Sequence, residues 1–183
     1  MSSLFIPSET EMDFARIDVQ ELAAQTPSIS FVNLGLYRDL NLRYWVRTTH
    51  GAVLEFLLMQ FNADVGPNYE YLYGHRKKLN SHQATCHQTQ VGFHIGTVAS
   101  AATPVGEYTL GIIRIPNYRS AVHKKTFHSD GGDFYNHVGD TAIRTIKGFG
   151  IWECTDPLTR IDISSLNGAQ LCAGSVFTLY GLR

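Results

Sequence analysis

The most constraining feature of this chain is its punctuation. From Ser28 onward, short apolar or alternating runs are separated by turn formers, and no long helical period intervenes. The runs lie at 29–34, 42–47 and 53–61, then at Val91, Phe93 and Ile95. They continue at Tyr108, Leu110 and Ile112, with Ile113 and Ile115 leading to Pro116, and end with 142–146, 150–154, 158–163 and 176–182. Between them stand 48–51, 64–68, 103–106, 129–133 and Asn167-Gly168, all rich in Gly, Pro, Asn, Asp, Ser or Thr. Eight or nine strands so spaced predict an all-β fold, an antiparallel β-sandwich. Residues 72–90 are polar and read as a surface loop. No internal repeat or low-complexity tract is visible.

Residues 1–27 read differently. Ser8-Glu9-Thr10-Glu11 has the order of a capping box, 18–25 is a good short helix sequence, and Thr26-Pro27 breaks it. Phe5, Ile6, Phe14, Ile17 and Leu22 are apolar points too few to make a core. The segment is therefore expected to be an extended or short-helical arm, lying on another surface or on its own domain. The expected organisation is an arm over 1–27 and one sandwich over 28–183, within the size of a single domain.

Composition narrows the partners. Fifteen Lys and Arg against 16 Asp and Glu give a net charge of -1, without the basic surplus a general nucleic-acid binder needs. Charged residues are only 17%, and aromatic residues 11%. Charge is depleted at interface cores, so this balance points either to a surface partly covered by a partner or to an exterior built from uncharged polar groups. A near-neutral chain held to a partner by apolar and hydrogen-bonded contacts would be only weakly salt-sensitive. The first ten residues have neither a positive region nor an apolar run of signal-peptide type, and 53–61 is far short of a membrane span. Cys86, Cys154 and Cys172 are odd in number and far apart, which is no disulfide framework. The chain reads as soluble, in a reducing cytoplasm, with no membrane or nucleic-acid partner.

Eight histidines raise the question of metal. His82, Cys86, His87 and His94 are close in sequence, but their spacing follows no zinc pattern, and exposed polar positions explain them. His123, His128, Asp130, Asp133 and His137 supply the parts of a hydrolase, but no nucleophile sits on a recognisable elbow. Residues 62–68 have the composition of a calcium loop without its full ligand order, so an Asx turn between strands is the expectation. No phosphate-binding glycine loop is present. The expectation is a chain that is not an enzyme and takes no metal or cofactor.

Three stretches together resemble tailed-bacteriophage jelly-roll virion proteins, the family of capsid decoration, tail and fibre modules. The first is 37–47 followed by 57–69, with Phe61-Asn62-Ala63-Asp64 at a strand end and Asn68-Tyr69 after it. The second is 113–120, with Tyr118-Arg119-Ser120, then Lys124-Lys125-Thr126. The third is Gly150-Ile151-Trp152, then 158–163, then the ending Gly174-Ser175-Val176-Phe177-Thr178-Leu179-Tyr180-Gly181. The likeness spans about residues 28–183, and it departs at Ala63, where the family usually has glycine, and at the histidine-rich stretch 82–87. Phe177 and Leu179 alternating with Val176 and Tyr180 suit a last strand buried in a sheet, and Trp152 a core anchor.

The resemblance implies a jelly-roll-like sandwich that is a structural component of the virion. A free-standing domain with an arm suits a homotrimeric decoration (cement) protein. Such a protein is made in the host bacterial cytoplasm and seated on the outer capsid surface, with the major capsid protein as its partner. The arm residues Phe5, Ile6, Phe14, Ile17 and Leu22 would then touch the shell. A tail or fibre module that recognises host glycans is the alternative, with Tyr69, Tyr71 and Tyr73 on one strand face as its stacking platform.

Overall fold

The alternation read from the sequence becomes two antiparallel sheets packed face to face. A computed structural model describes residues 14–52, 55–77, 81–137 and 140–183. The twelve strands are β1 (Phe14–Glu21), β2 (Ser28–Val32), β3 (Asp39–Val46), β4 (Glu55–Phe61), β5 (Tyr69–Lys77), β6 (Ser81–Gln90), β7 (Phe93–Val98), β8 (Thr109–Ile115), β9 (Lys125–His137), β10 (Asp140–Trp152), β11 (Arg160–Ser165) and β12 (Val176–Leu182). The small sheet has the order β2-β11-β4-β7, and the large one β1-β12-β3-β8-β9-β10-β5-β6. Among the described residues no helix is long and apolar enough to cross a membrane.

Eight of the strands form a wound frame. The sequence neighbours β1/β2, β3/β4, β7/β8 and β11/β12 each place one strand in either sheet, and the pairs lie side by side in the same order in both. The remaining four enter as two hairpins, β5–β6 between β4 and β7 and β9–β10 between β8 and β11, and they widen the large sheet only. The core lies between the sheets. Leu42, Tyr44, Ile113, Phe127, Phe177 and Leu179 face Phe31, Leu57, Met59, Phe61, Phe93, Ile161 and Ile163, all buried. Each such side chain contributes about 1.5–3 kcal/mol through burial.

Four local expectations change. The helix expected over 18–25 is not formed: β1 occupies 14–21 and pairs antiparallel with β12, with a bulge between Arg16 and Asp18. Eight residues are too few for a helix to persist alone, whereas the edge of β12 offers a row of backbone partners. Residues 72–77 and 81–90 form no loop but most of the paired strands β5 and β6. Their polarity is that of an edge strand whose outer side faces water. The glycine-rich run 129–133 is no turn but lies inside β9, and the separate runs 142–146 and 150–154 fall largely within the single strand β10. Small residues here admit neighbours rather than bend the chain. A Cβ on Gly111 of β8 would lie 2.2 Å from the hydroxyl oxygen of Tyr44, which fills the space.

Candidate interaction face

Phe61, Asn62, Asp64, Tyr69, Tyr118, Trp152 and Gly181 lie at the end of the sandwich where β4 leaves for β5 and β10 leaves for β11, whereas Ser175 and Phe177 lie toward the other end. Phe61 is fully buried, with its ring edge-on to those of Phe93 and Trp152. Its backbone N–H donates to the Tyr69 hydroxyl at 3.0 Å, and that hydroxyl donates on to the Asp64 carbonyl at 3.0 Å. The Asp64 carboxylate accepts from the Trp152 indole Nε1–H at 2.7 Å, the Gly66 N–H at 2.7 Å and the Asn68 amide at 2.9 Å. Burial alone would raise the Asp64 pKa, but these three donors outweigh it and hold the pKa below the ordinary value. Burial raises the Tyr69 phenol well above its usual range. The Asn62 side-chain carbonyl accepts from Thr159 N–H at 2.8 Å and Arg160 N–H at 3.1 Å, and its amide donates to Pro157 O at 3.0 Å.

Residues 62–68 are thus an Asx-stabilised connection whose carboxylate is spent on protein donors. Ala63 sits at φ 55°, in the left-handed region that glycine enters without a Cβ penalty. The Tyr118 hydroxyl, at the same end, donates to Gly35 O at 2.7 Å and accepts from the Tyr37 N–H. On β12, Phe177 and Leu179 point inward and are fully buried, while the Ser175 hydroxyl meets the Arg47 N–H at 3.3 Å. Gly181 carries the Tyr37 ring, which a Cβ would meet at 2.1 Å. Of the motif set, Tyr180 alone turns to the outer face. The others are scaffold.

That outer face belongs to the large sheet and can be read row by row from the strand register. One row crosses all eight strands: Arg16, Tyr180, Asn41, Arg114, His128, Phe149, Leu72 and Cys86. Two residues along lie Val19, Thr178, Arg43, Ile112, Asp130 and Lys147. Two further lie Glu21, Val176, Trp45 and Leu110. Phe14, Val19, Trp45, Leu72, Leu110 and Phe149 are exposed large apolar side chains of this face, with Leu110 53% and Phe149 48% accessible. On the outer side of the small sheet, among the described residues, only Val32 is in that class. Among the strands the apolar exposure is concentrated on the outer face of the large sheet, while Leu36, Val65, Val91, Val105 and Val122 are exposed singly in connections.

Near Phe14 the face carries a hollow of about 410 Å³, walled by Phe14, Leu40, Phe127, Phe149 and Leu182 and rimmed by Asp39, Asn41, Arg114 and His128, with Asp39 paired to Arg38. The Arg43 guanidinium lies 4.9 Å over the Tyr180 ring and 5.9 Å over that of Phe14, and the two rings meet edge-on at 6.4 Å. Trp45 stacks on Tyr108 at 5.9 Å.

The arm residues divide. Ile17 and Leu22 pack against the protein's own core, Phe14 lies on the outer face, and Phe5 and Ile6 lie outside the described residues. Tyr69, Tyr71 and Tyr73 share one strand face, as their alternation implies, but that face is buried. No stacking platform for a glycan exists there. Tyr71 instead stacks on His87 at 4.7 Å, and His94 lies 4.9 Å from Tyr71 and 5.6 Å from His87. Burial, reinforced by the nearby His87, lowers the His94 pKa to about 4. Cys86 is exposed on β6, and the side chain of His82 lies outside the described residues. Among the described residues no three metal-ligating side chains converge.

One constellation has the outline of a catalytic site. Fully buried Glu55 lies 3.1 Å from His50 and accepts from Ser165 Oγ at 2.8 Å and from Asn167 Nδ2 at 2.9 Å. The serine donates to the carboxylate rather than to the imidazole, so nothing activates it as a nucleophile. Desolvation raises the Glu55 pKa, the donors from Asn167 and Ser165 more than reverse it, and the net shift is downward. The group pins the start of β4 to the turn between β11 and β12.

Sequence reasoning missed Arg16, Arg114, Trp45, Leu110 and Phe149 as a surface. Alternation separates two faces of a strand but does not say which one is covered. Compared with models of known protein families, with curated proteins and with solved structures, the chain matches none.

Proposed function

We propose that the protein is a non-enzymatic structural component of a tailed-bacteriophage virion, a homotrimeric decoration protein that binds the outer capsid surface and braces contacts between major capsid subunits. The frame is jelly-roll-like: two-strand units are wound side by side through both sheets, as the resemblance implies. The observation that carries the reading is that the exposed apolar and aromatic side chains of the strands concentrate on the outer face of the large sheet. A monomeric binding module or enzyme has no need of such a face, whereas a protein that works by contact with sister copies and a shell does. The polar groups of the motif corner are consumed internally by Asp64, Tyr69 and Trp152, as befits scaffold. The tail-module alternative loses its support with the burial of Tyr69, Tyr71 and Tyr73.

Because β1 is an integral strand, the segment to remove in a test is 1–13, not 1–27. The full chain and the 14–183 chain are each mixed with undecorated particles and sedimented, with mass measured in solution. Trimeric mass and binding of the full chain at hundreds of copies per particle are expected, with weaker binding of the shortened chain. A monomer that leaves particles bare, or a stoichiometry of a few copies per particle, refutes the proposal.

A further inference from the structure

Among residues 84–89 of β6, the free edge of the large sheet, every side chain is exposed except that of His87, which is half-buried. β6 pairs with β5 alone, and that pairing shifts register between Tyr69 and Tyr71, opposite Gln90 and His87. Thr89, in the irregular stretch, sits at φ 53°, a strained backbone for a β-branched residue. Just beyond it the chain is pinned again, since Gln60 Nε2 donates to Val91 O at 2.7 Å. Side chains thus hold this edge by one ring on one side of a strained bulge and by a fixed connection on the other. The ring is His87, stacked on Tyr71 at 4.7 Å. His94 of β7 completes the cluster at 4.9 Å from Tyr71 and 5.6 Å from His87, and Phe56 of β4 stacks on it at 5.4 Å. The titratable groups around His94 are Tyr71 from β5, His87 from β6 and, from β4, the Glu55 carboxylate. That carboxylate is already engaged by His50, Ser165 and Asn167. β9 reaches β7 through Phe127 on Phe93, a contact without charge.

Such a stack suits neutral rings. A proton on His94 places a charge beside a second imidazole in a half-buried position, and the faces of Phe56 and Tyr71 attract a cation too weakly to offset that. The lowered His94 pKa, caused first by burial and then by His87, agrees with this balance. We infer that the His87–Tyr71–His94 stack is an acid-released clasp, which holds residues 84–90 of β6 against β5 and β7 at neutral pH and lets them peel away when a proton enters the stack. Peeling turns about the bulge at 88–90, leaves β5 paired with β10, and uncovers Tyr71 and the free edge of β7. The clasp is a property of this edge and does not rest on the virion reading. An opening that returns His94 to its ordinary value of 6.5 becomes about twentyfold more favourable between pH 7 and pH 5.

The test is native-state hydrogen exchange on the full chain at pH 7 and pH 5, corrected for the intrinsic pH dependence of amide exchange, across a series of sub-denaturing urea concentrations. Amides of 84–90 are expected to exchange through an opening with little urea dependence, because it exposes little surface. Those of β3 and β12 follow global unfolding and its steep urea slope. The equilibrium of the local opening is expected to rise about twentyfold from pH 7 to pH 5. His94→Phe and His94→Gln carry no charge at either pH and should abolish that rise, while His123→Gln, at an exposed position in the 116–124 connection, leaves it intact. The two His94 variants differ in bulk, so a packing defect in one leaves the other to decide. Amides of 84–90 that exchange only with the global slope, a local opening unchanged between pH 7 and pH 5, or a rise that persists in both His94 variants overturns the inference. A local opening that takes 93–98 with it shows that β7 moves as well and overturns the assignment to the β6 edge.

Discussion

Replacing Asp64 by alanine should destabilise the protein by about 3 kcal/mol, and most of that loss should pass through Trp152. The carboxylate accepts three hydrogen bonds. The Gly66 and Asn68 donors belong to a surface connection and can turn to water, so their loss costs about 1 kcal/mol together. The Trp152 indole cannot, because the residue is only 3% exposed and enclosed by Phe61 and Tyr69. An orphaned buried donor that had a charged acceptor costs about 2 kcal/mol. With a urea slope of about 2 kcal/mol/M, the midpoint should fall by about 1.5 M. A double-mutant cycle with Trp152→Phe isolates the pair and should return about 1.5–3 kcal/mol of coupling at neutral pH. The pKa of Asp64 is lowered on folding, so its contribution is complete above the unfolded-state value near 3.8 and is lost as pH falls through the lower folded value. A coupling below about 0.5 kcal/mol would show that the indole is satisfied in some other way, and the account of this corner would fail.

Three further outcomes follow from the same geometry. Gly181→Ala should lower Tm by about 4–8 °C in a thermal scan, since its Cβ would sit 2.1 Å from the Tyr37 ring and overpacking of that kind costs about 2 kcal/mol; an unchanged Tm contradicts the close approach. Lys125 is 1% exposed and its ammonium donates to Ser120 O, His123 O and Thr155 O, so Lys125→Met should cost about 2 kcal/mol in urea unfolding by releasing the 116–124 and 153–159 connections from each other. His94 has a folded pKa of about 4, below its unfolded value of 6.5, so stability should decline as pH falls from 6.5 to 4. His94→Phe should flatten that part of the profile in denaturation series across the window, and a slope that persists unchanged assigns the protons to another group.

Much of the sandwich was legible because strand alternation and turn residues are local signals. Leu42, Tyr44 and Val46 alternate with Arg43 and Trp45, and the former are the buried set. The failures share a cause: each segment took its structure from a distant partner. Residues 18–21 have helical propensity but lie against β12, more than 150 positions away, and the backbone pairing there prevails. Tyr71 and Tyr73 sit in a polar stretch, and only the hairpin partner and the small sheet reveal that their face is inward. The motif corner was readable as residues but not as a network. Nothing local to Asp64 says that its carboxylate would meet an indole 88 positions away. Arg16, Arg43 and Arg114 were invisible as a group for the same reason, since they become neighbours only once β1, β12, β3 and β8 are in register.

The two inserted hairpins give the outer face its scale. Strands lie about 4.8 Å apart, so a frame of four strands is about 19 Å wide and eight strands are about 38 Å wide. The small sheet has only four strands, so it cannot cover the inner side of the widened one. The Tyr71, Tyr73, His87, Phe56 and His94 rings fill that overhang and wrap the free edge of β7, which closes a strand edge that would otherwise invite pairing. On the opposite side the widening is uncompensated. Four transverse rows of outward side chains extend about 20 Å along the strands, so the face offers about 760 Å². A stable interface of standard size needs about 800 Å² from each partner, and the four-strand frame alone would provide about half of that. Without β5–β6 and β9–β10 the core would lose Tyr69, Tyr71, Phe127, Ile146 and Trp152, and the outer face would be about half as wide. The hairpins carry Leu72 and Phe149 onto that face and widen it from four strands to eight.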